Sequence, residues 1–191
     1  MNHNTEITTE DTFEAAIRLK SRGYNPVVLD FASATNPGGS WRSKQQGTQE
    51  ESLCRRSDLG ILLEKEHYPM SPNGAIYVAT TITKDKNLQP IIPIKCGVIA
   101  SELHGIASSK SQYLQKRICD IYDLAIKKNH NVIVLGSWGC GAFKETDEDL
   151  DILAKEFNFC LNKYNIKIKT VYAMYNRKNK TVFDKYIQTK Y

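Results

Sequence analysis

Asn36-Pro37-Gly38-Gly39-Ser40-Trp41-Arg42-Ser43-Lys44-Gln45-Gln46-Gly47-Thr48-Gln49-Glu50-Glu51 is the stretch on which the fold turns. The apolar run Val27-Val28-Leu29-Asp30-Phe31-Ala32 precedes it and reads as a buried parallel strand. Gln49 to Glu66 reads as a helix, with Leu53, Leu59, Leu62 and Leu63 on an apolar face and Arg55, Arg56 and Asp58 as its polar residues. A glycine loop thus leaves the C-terminal end of a strand, the end at which open α/β sheets bind ligands. Adjacent glycines let backbone N–H groups approach a ligand with no Cβ in the way. The following helix turns its positive end to the same place.

Glu50 and Glu51 at that helix start have two readings. In the first, Thr48 is the N-cap, Glu51 at N3 completes a capping box, and acids suit the first turn. In the second, the pair does chemistry on a ligand held by the loop. On this stretch alone the capping reading is the simpler.

At 191 residues the chain suits one domain, residues 1–191, with a substantial core. The net charge is +5 and the lysines are spread along the chain, so nucleic-acid binding is permitted but not indicated. Five widely spaced cysteines (Cys54, Cys96, Cys119, Cys140, Cys160) form no C-x-x-C pair, which argues against a disulfide framework and against zinc. The stretch Met1 to Asp11 is polar and acidic, unlike a signal peptide. No apolar run approaches membrane-spanning length. These features suggest a cytoplasmic monomer with no membrane partner, no metal and no cofactor.

Working outward, Asp11 or Thr9 caps a helix that carries Phe13, Ala16, Ile17 and Leu19 and stops at Gly23. Ala75 to Ile82 reads as a strand. Ile91 to Ala100 reads as another, with Pro90 and Pro93 marking an irregular start or an edge position. Ser111 to Asn129 is helical, Val132 to Leu135 is a buried strand, and Thr146 or Asp147 caps a helix to about Lys163. A last strand covers Ile168 to Met174, and a short helix covers Val182 to Ile187. This alternation predicts a three-layer α/β domain, a mixed and largely parallel sheet with helices on both faces.

The strand Val132–Leu135 ends in a second loop, Gly136-Ser137-Trp138-Gly139-Cys140-Gly141-Ala142-Phe143, again ahead of a helix. Two such loops on neighbouring strands give two rows of backbone donors around one crevice, a receptor for a diphosphate. The order G-x-x-G-x-G is not the dinucleotide fingerprint, and no P-loop is present. A diphosphate held without a lysine clamp suggests a nucleotide diphosphate sugar such as ADP-ribose.

Three motifs, in order, now carry a resemblance. Leu29 to Ser40, Gln49-Glu50-Glu51-Ser52-Leu53-Cys54-Arg55-Arg56-Ser57, and Leu135 to Phe143 resemble the bacterial-type poly(ADP-ribose) glycohydrolases, a branch of the macrodomain fold. The resemblance runs from about Glu10 to Phe183. The family's third loop glycine is Ser40 here, a departure that bears on catalytic efficiency more than on binding.

The resemblance implies an ADP-ribosyl glycohydrolase acting on poly(ADP-ribose) or ADP-ribosylated macromolecules. Nucleic acid enters only as a possible modified substrate. It implies ligand contacts at Asn36, Gly38, Gly39, Ser40, Gln49, Gly136, Ser137, Gly139, Cys140, Gly141, Ala142 and Phe143. Phe143 would stack beside the distal ribose and Asn36 would bond ribose hydroxyls; unaided, the residues suggest core packing for the one and a turn for the other. Glu51 would protonate the leaving oxygen at C1″ and then help activate water, which calls for a pKa raised by burial and by Glu50. Glu50 would orient the ribose. Cys140 is read as a backbone contact and not a nucleophile, His104 as a loop residue, Trp138 as core and Trp41 as the pocket rim. The alternative function is a non-catalytic macrodomain that binds or sequesters ADP-ribose or a related nucleotide, with hydrolysis lost at Ser40.

Overall fold

The computed structural model describes residues 4–43 and 47–187. Lys44, Gln45 and Gln46 of the first loop, and the first three residues of the polar N-terminus, lie outside the described residues. The elements in chain order are β1 Thr5–Thr8, α1 Thr12–Ser21, β2 Pro26–Phe31, α2 Gln49–Arg56, α3 Leu59–Leu63, β3 Ile76–Lys84, β4 Pro90–Ser101, α4 Ser111–Lys127, β5 Val132–Leu135, α5 Asp149–Tyr164, β6 Lys169–Ala173 and α6 Arg177–Tyr186. All six strands form one sheet in the order β1-β6-β5-β2-β4-β3. Every pairing is parallel except β3 with β4.

The two faces of the sheet divide the helices by the period-2 rule. Val27, Leu29, Ile133, Leu135 and Tyr172 point to one side and pack with α4, α5 and Phe183 of α6. Val28, Ala32, Val98, Val134 and Val171 point to the other and pack with Phe13 and Leu19 of α1, Leu53 and Cys54 of α2, and Leu59 and Leu63 of α3. This is the expected three-layer arrangement. Asp11 caps α1 in a full capping box with Glu14, and Gly23 follows the helix with φ +84°.

Three local expectations need correction. The helix expected over Gln49 to Glu66 is two helices. Ser57 is extended and bridges Ile82, and Asp58 accepts from the Thr81 amide (2.7 Å), so β3 takes over the chain at the break. Arg56, read as one of the helix's polar residues, is fully buried, paired with Asp11 (2.8 Å) and lying over Phe13. Neither Thr146 nor Asp147 caps α5; Asp149 folds back instead, accepting from the Glu145 amide (2.8 Å) and the Thr146 hydroxyl (2.7 Å). The C-terminal helix begins earlier, at Arg177, with Asn176 as its side-chain cap. The proline-bearing start of β4 does lack a second neighbour, since β2 pairs only with Gly97 to Ser101.

Candidate active site

The two glycine loops leave the same end of the adjacent parallel strands β2 and β5. Gly136 lies so close to β2 that a Cβ there would sit 2.7 Å from the Phe31 ring. Both loops therefore border one crevice at the C-terminal edge of the sheet.

The first loop is fastened to α2 through its glutamates. Glu50 is almost wholly buried and spans the loop, accepting from the Ser33 amide (2.9 Å) and the Gly38 amide (3.0 Å). Glu51 accepts from the Ser40 amide (2.9 Å) with one oxygen and from the Thr48 amide with the other. The capping box is thus formed, and the same carboxylate also holds the loop. Gly38 (φ +75°) and Gly39 (φ +58°) make this possible: a Cβ on Gly39 would sit 2.9 Å from a Glu51 oxygen. Arg55 braces the loop from α2, donating to the carbonyls of Trp41 (3.1 Å) and Ser43 (3.1 Å).

This arrangement corrects the expected double row of donors. The Gly38 and Ser40 amides serve Glu50 and Glu51, and the Gly39 amide serves the Asn36 carbonyl (2.9 Å). The second loop is the open row: the amides of Ser137, Gly139, Gly141, Ala142 and Phe143 donate to no other described residue. Gly139 has φ +77°, and a Cβ there would meet the Leu103 carbonyl at 2.7 Å. A Cβ on Gly141 would meet nothing, so packing within the chain does not demand that glycine.

Asn36 is exposed and its side-chain amide has no partner among the described residues. Phe143 is 37% exposed, which excludes core packing. Ser40 is exposed and outside the left-handed region, so serine fits there without backbone strain. Gln49 is engaged within the fold. Its side chain accepts from the Phe31 amide (2.9 Å) and donates to the Leu29 carbonyl (2.9 Å), continuing the ladder of β2 where β5 stops pairing. Trp138 is core, with its indole N–H on the Ser101 carbonyl (2.8 Å). Trp41, expected at the rim, is wedged against Gly60 of α3 and bonds Glu64 (3.3 Å). His104 is an exposed loop residue near Glu102. Burial pushes the Cys140 thiol up to about 12, so it is no ready nucleophile.

The electrostatics of the glutamate pair reverse the expectation. Glu51 was expected to be raised. Burial does push it up, but the Ser40 and Thr48 donors and the Arg55 charge outweigh that and hold it below the ordinary range. Glu50 is the raised member, at about 7: burial dominates, the Ser33 and Gly38 amides oppose it, and the Glu51 charge adds to it. Behind it lies a residue whose importance the sequence reading missed. Asp30 of β2 is fully buried on the face toward α2, and neither of its carboxyl oxygens has a hydrogen-bond partner among the described residues. Burial, then the nearby Glu50 charge, raises it well above the carboxylate range. A carboxylate in the middle of an apolar strand was the available signal.

Residues 1–82 match the family model for the catalytic domain of microbial-type PARG. That span holds the first loop and the glutamate pair but not the second loop. Solved structures extend the likeness. Poly(ADP-ribose) glycohydrolase from Deinococcus radiodurans, in complex with ADP-ribose, is 26% identical, with 97% of this chain covering 84% of that one at a TM-score of 0.81. The enzyme from Thermomonospora curvata bound to the inhibitor ADP-HPD is 23% identical, with 95% of this chain covering 78% of that one at a TM-score of 0.80. The chain resembles the bacterial poly(ADP-ribose) glycohydrolases. The likeness to the Thermomonospora structure bears on fold alone. No curated protein matches the sequence.

Proposed function

We propose that this chain is an ADP-ribosyl glycohydrolase that cleaves the ribose glycosidic bond of poly(ADP-ribose) or of ADP-ribosylated macromolecules. The observation that carries the reading is the glutamate pair fastened beneath the first glycine loop, which leaves the same edge of the sheet as the open amide row of the second. The diphosphate would take the second loop's amides, Phe143 would wall the distal ribose, and Asn36 would bond its hydroxyls. Glu51 would act at C1″ and Glu50 would hold the loop.

Glu50 titrates together with the buried Asp30 behind it, and the Glu51 charge adds to its upward shift. Near neutral pH Glu50, at about 7, retains a share of its proton, while Glu51 is held below the ordinary range. In the bound state that proton would pass through Glu51 to the leaving oxygen as its bond to C1″ breaks. The carboxylate would then face the oxocarbenium ion, and water would add to C1″ while its proton returns to the pair. A pure reader has no need of a buried pair that retains a proton, and Ser40 imposes no strain, so the enzyme reading is favoured over sequestration. The proposal includes a single ADP-ribose-binding domain working as a cytoplasmic monomer; all five cysteines are free thiols, as a reducing compartment keeps them. Incubation with poly(ADP-ribose) and chromatography of the products tests it. Released ADP-ribose is expected; polymer bound tightly but left intact would favour the reader.

A further inference from the structure

We propose that the pole of the domain opposite the glycine loops binds the phosphate backbone of duplex DNA. Lysines that are dispersed in the sequence meet there. The connections entering β2, β5 and β6 are residues 20–26 (Lys-Ser-Arg-Gly-Tyr-Asn-Pro), 127–131 (Lys-Lys-Asn-His-Asn) and 163–169 (Lys-Tyr-Asn-Ile-Lys-Ile-Lys). These 19 residues hold seven cations and no Asp or Glu, in a chain whose whole net charge is +5.

Hydrogen bonds fix the three connections side by side. The Asn25 amide donates to the Asn131 side chain (2.7 Å), the Asn25 side chain donates to the Asn129 carbonyl (3.1 Å), and the Lys169 amide donates to the Asn131 carbonyl (3.1 Å). Arg22, Lys127, Lys128, Lys163 and Lys167 are exposed, and none has an ion-pair partner among the described residues. Lys169, by contrast, is neutralised by Glu6 at 2.8 Å.

Helix C-termini favour cations, and α1, α4 and α5 all end here. That accounts for single lysines, but three helix ends contribute only about half a negative charge each. Five free cations exceed that severalfold. Strands β2, β5 and β6 span roughly 10 Å, a length of duplex axis that carries about six phosphates. Among the described residues the rings on this face are already occupied: Tyr24 is half-buried with Lys169 over it. The Tyr77 ring is covered by Lys128, and Tyr164 is buried under Lys163 and Lys167.

The test is fluorescence anisotropy of the full chain with a labelled mixed-sequence duplex over a salt series. Binding is expected with a log–log salt slope of about −4.5, following from five phosphate contacts. The variant carrying Lys127→Ala, Lys128→Ala, Lys163→Ala and Lys167→Ala should lose at least tenfold in affinity and most of that slope. Its melting temperature and its ADP-ribose affinity should stay unchanged. Lys116→Ala with Lys180→Ala, which removes paired lysines elsewhere, should bind like the wild type. Three results overturn the proposal: no salt-dependent binding at low salt, equal binding by the fourfold variant, or tighter binding of free poly(ADP-ribose) or single-stranded RNA than of duplex.

Discussion

Asp30→Asn should stabilise the protein progressively as the pH rises. Asp30 is fully buried with no hydrogen-bond partner among the described residues, and its carboxyl is held neutral well above the ordinary range. In the unfolded chain it ionises near its usual value of about 3.9. Between those two limits the folded state binds the extra proton, so folding loses stability as the pH rises. The loss is about 1.4 kcal/mol per pH unit. Asparagine has the same shape and no proton to lose, so its own burial cost does not vary with pH. The stability difference between variant and wild type should therefore shift in the variant's favour as the pH rises from 5, for as long as the folded carboxyl keeps its proton. Each kcal/mol of that shift corresponds to about 2–4 °C in melting temperature for a domain of this size. Denaturant melts of both proteins at pH 5, 6 and 7, analysed with a common m-value, measure it. A stability difference that does not change with pH would show that Asp30 is ionised in the folded protein and would refute the reasoning.

Three further outcomes follow from the same geometry. With Glu50 raised to about 7, the glutamate pair loses its remaining proton as the pH climbs past neutrality, so kcat/KM should fall above about pH 7, approaching tenfold per unit; a flat profile to pH 9 would contradict the shared proton. Gly139→Ala places a Cβ 2.7 Å from the Leu103 carbonyl at a positive φ and should cost about 1–3 kcal/mol in melts while weakening ADP-ribose binding in calorimetry; wild-type affinity would count against the second loop as the diphosphate receptor. Cys140→Ser should leave turnover within about threefold, and iodoacetamide at pH 7 should not inactivate the wild type, because the thiol sits near 12.

Much of this architecture was legible in the sequence because the parallel strands are buried on both faces. Val132–Leu135, apolar throughout, and Val27–Ala32, apolar but for Asp30, read as strands because both faces are covered. β1 was not legible: Thr5-Glu6-Ile7-Thr8 is an edge strand of four half-buried residues, anchored by Glu6 to Lys169 and Arg18 rather than by an apolar run. The break between α2 and α3 was hidden too, because Ser57 and Asp58 take their partners from β3, far along the chain. At the site, sequence order placed the two loops and the glutamates together, but it did not show which backbone donors the glutamates occupy. The electrostatics depended on that detail. Glu51 gains the Ser40 and Thr48 donors and is lowered, while Glu50, deeper and beside Asp30, is raised. Gln49 also clamps β2, a role that sequence order did not show because it is set by where β5 stops pairing.

The central claim is that Glu51 acts at the reacting carbon, and the most direct test is single-turnover hydrolysis of poly(ADP-ribose) by wild type and Glu51→Gln. Glutamine keeps the side chain's size and can serve at N3 of the capping box. It leaves one of the Ser40 and Thr48 amides without its acceptor, at a cost of about 1–2 kcal/mol in melts. It cannot relay a proton to the leaving oxygen. The account predicts ADP-ribose binding retained and a single-turnover rate lower by roughly a hundredfold or more. Equal rates in the two proteins would confine Glu51 to the capping box and contradict the account.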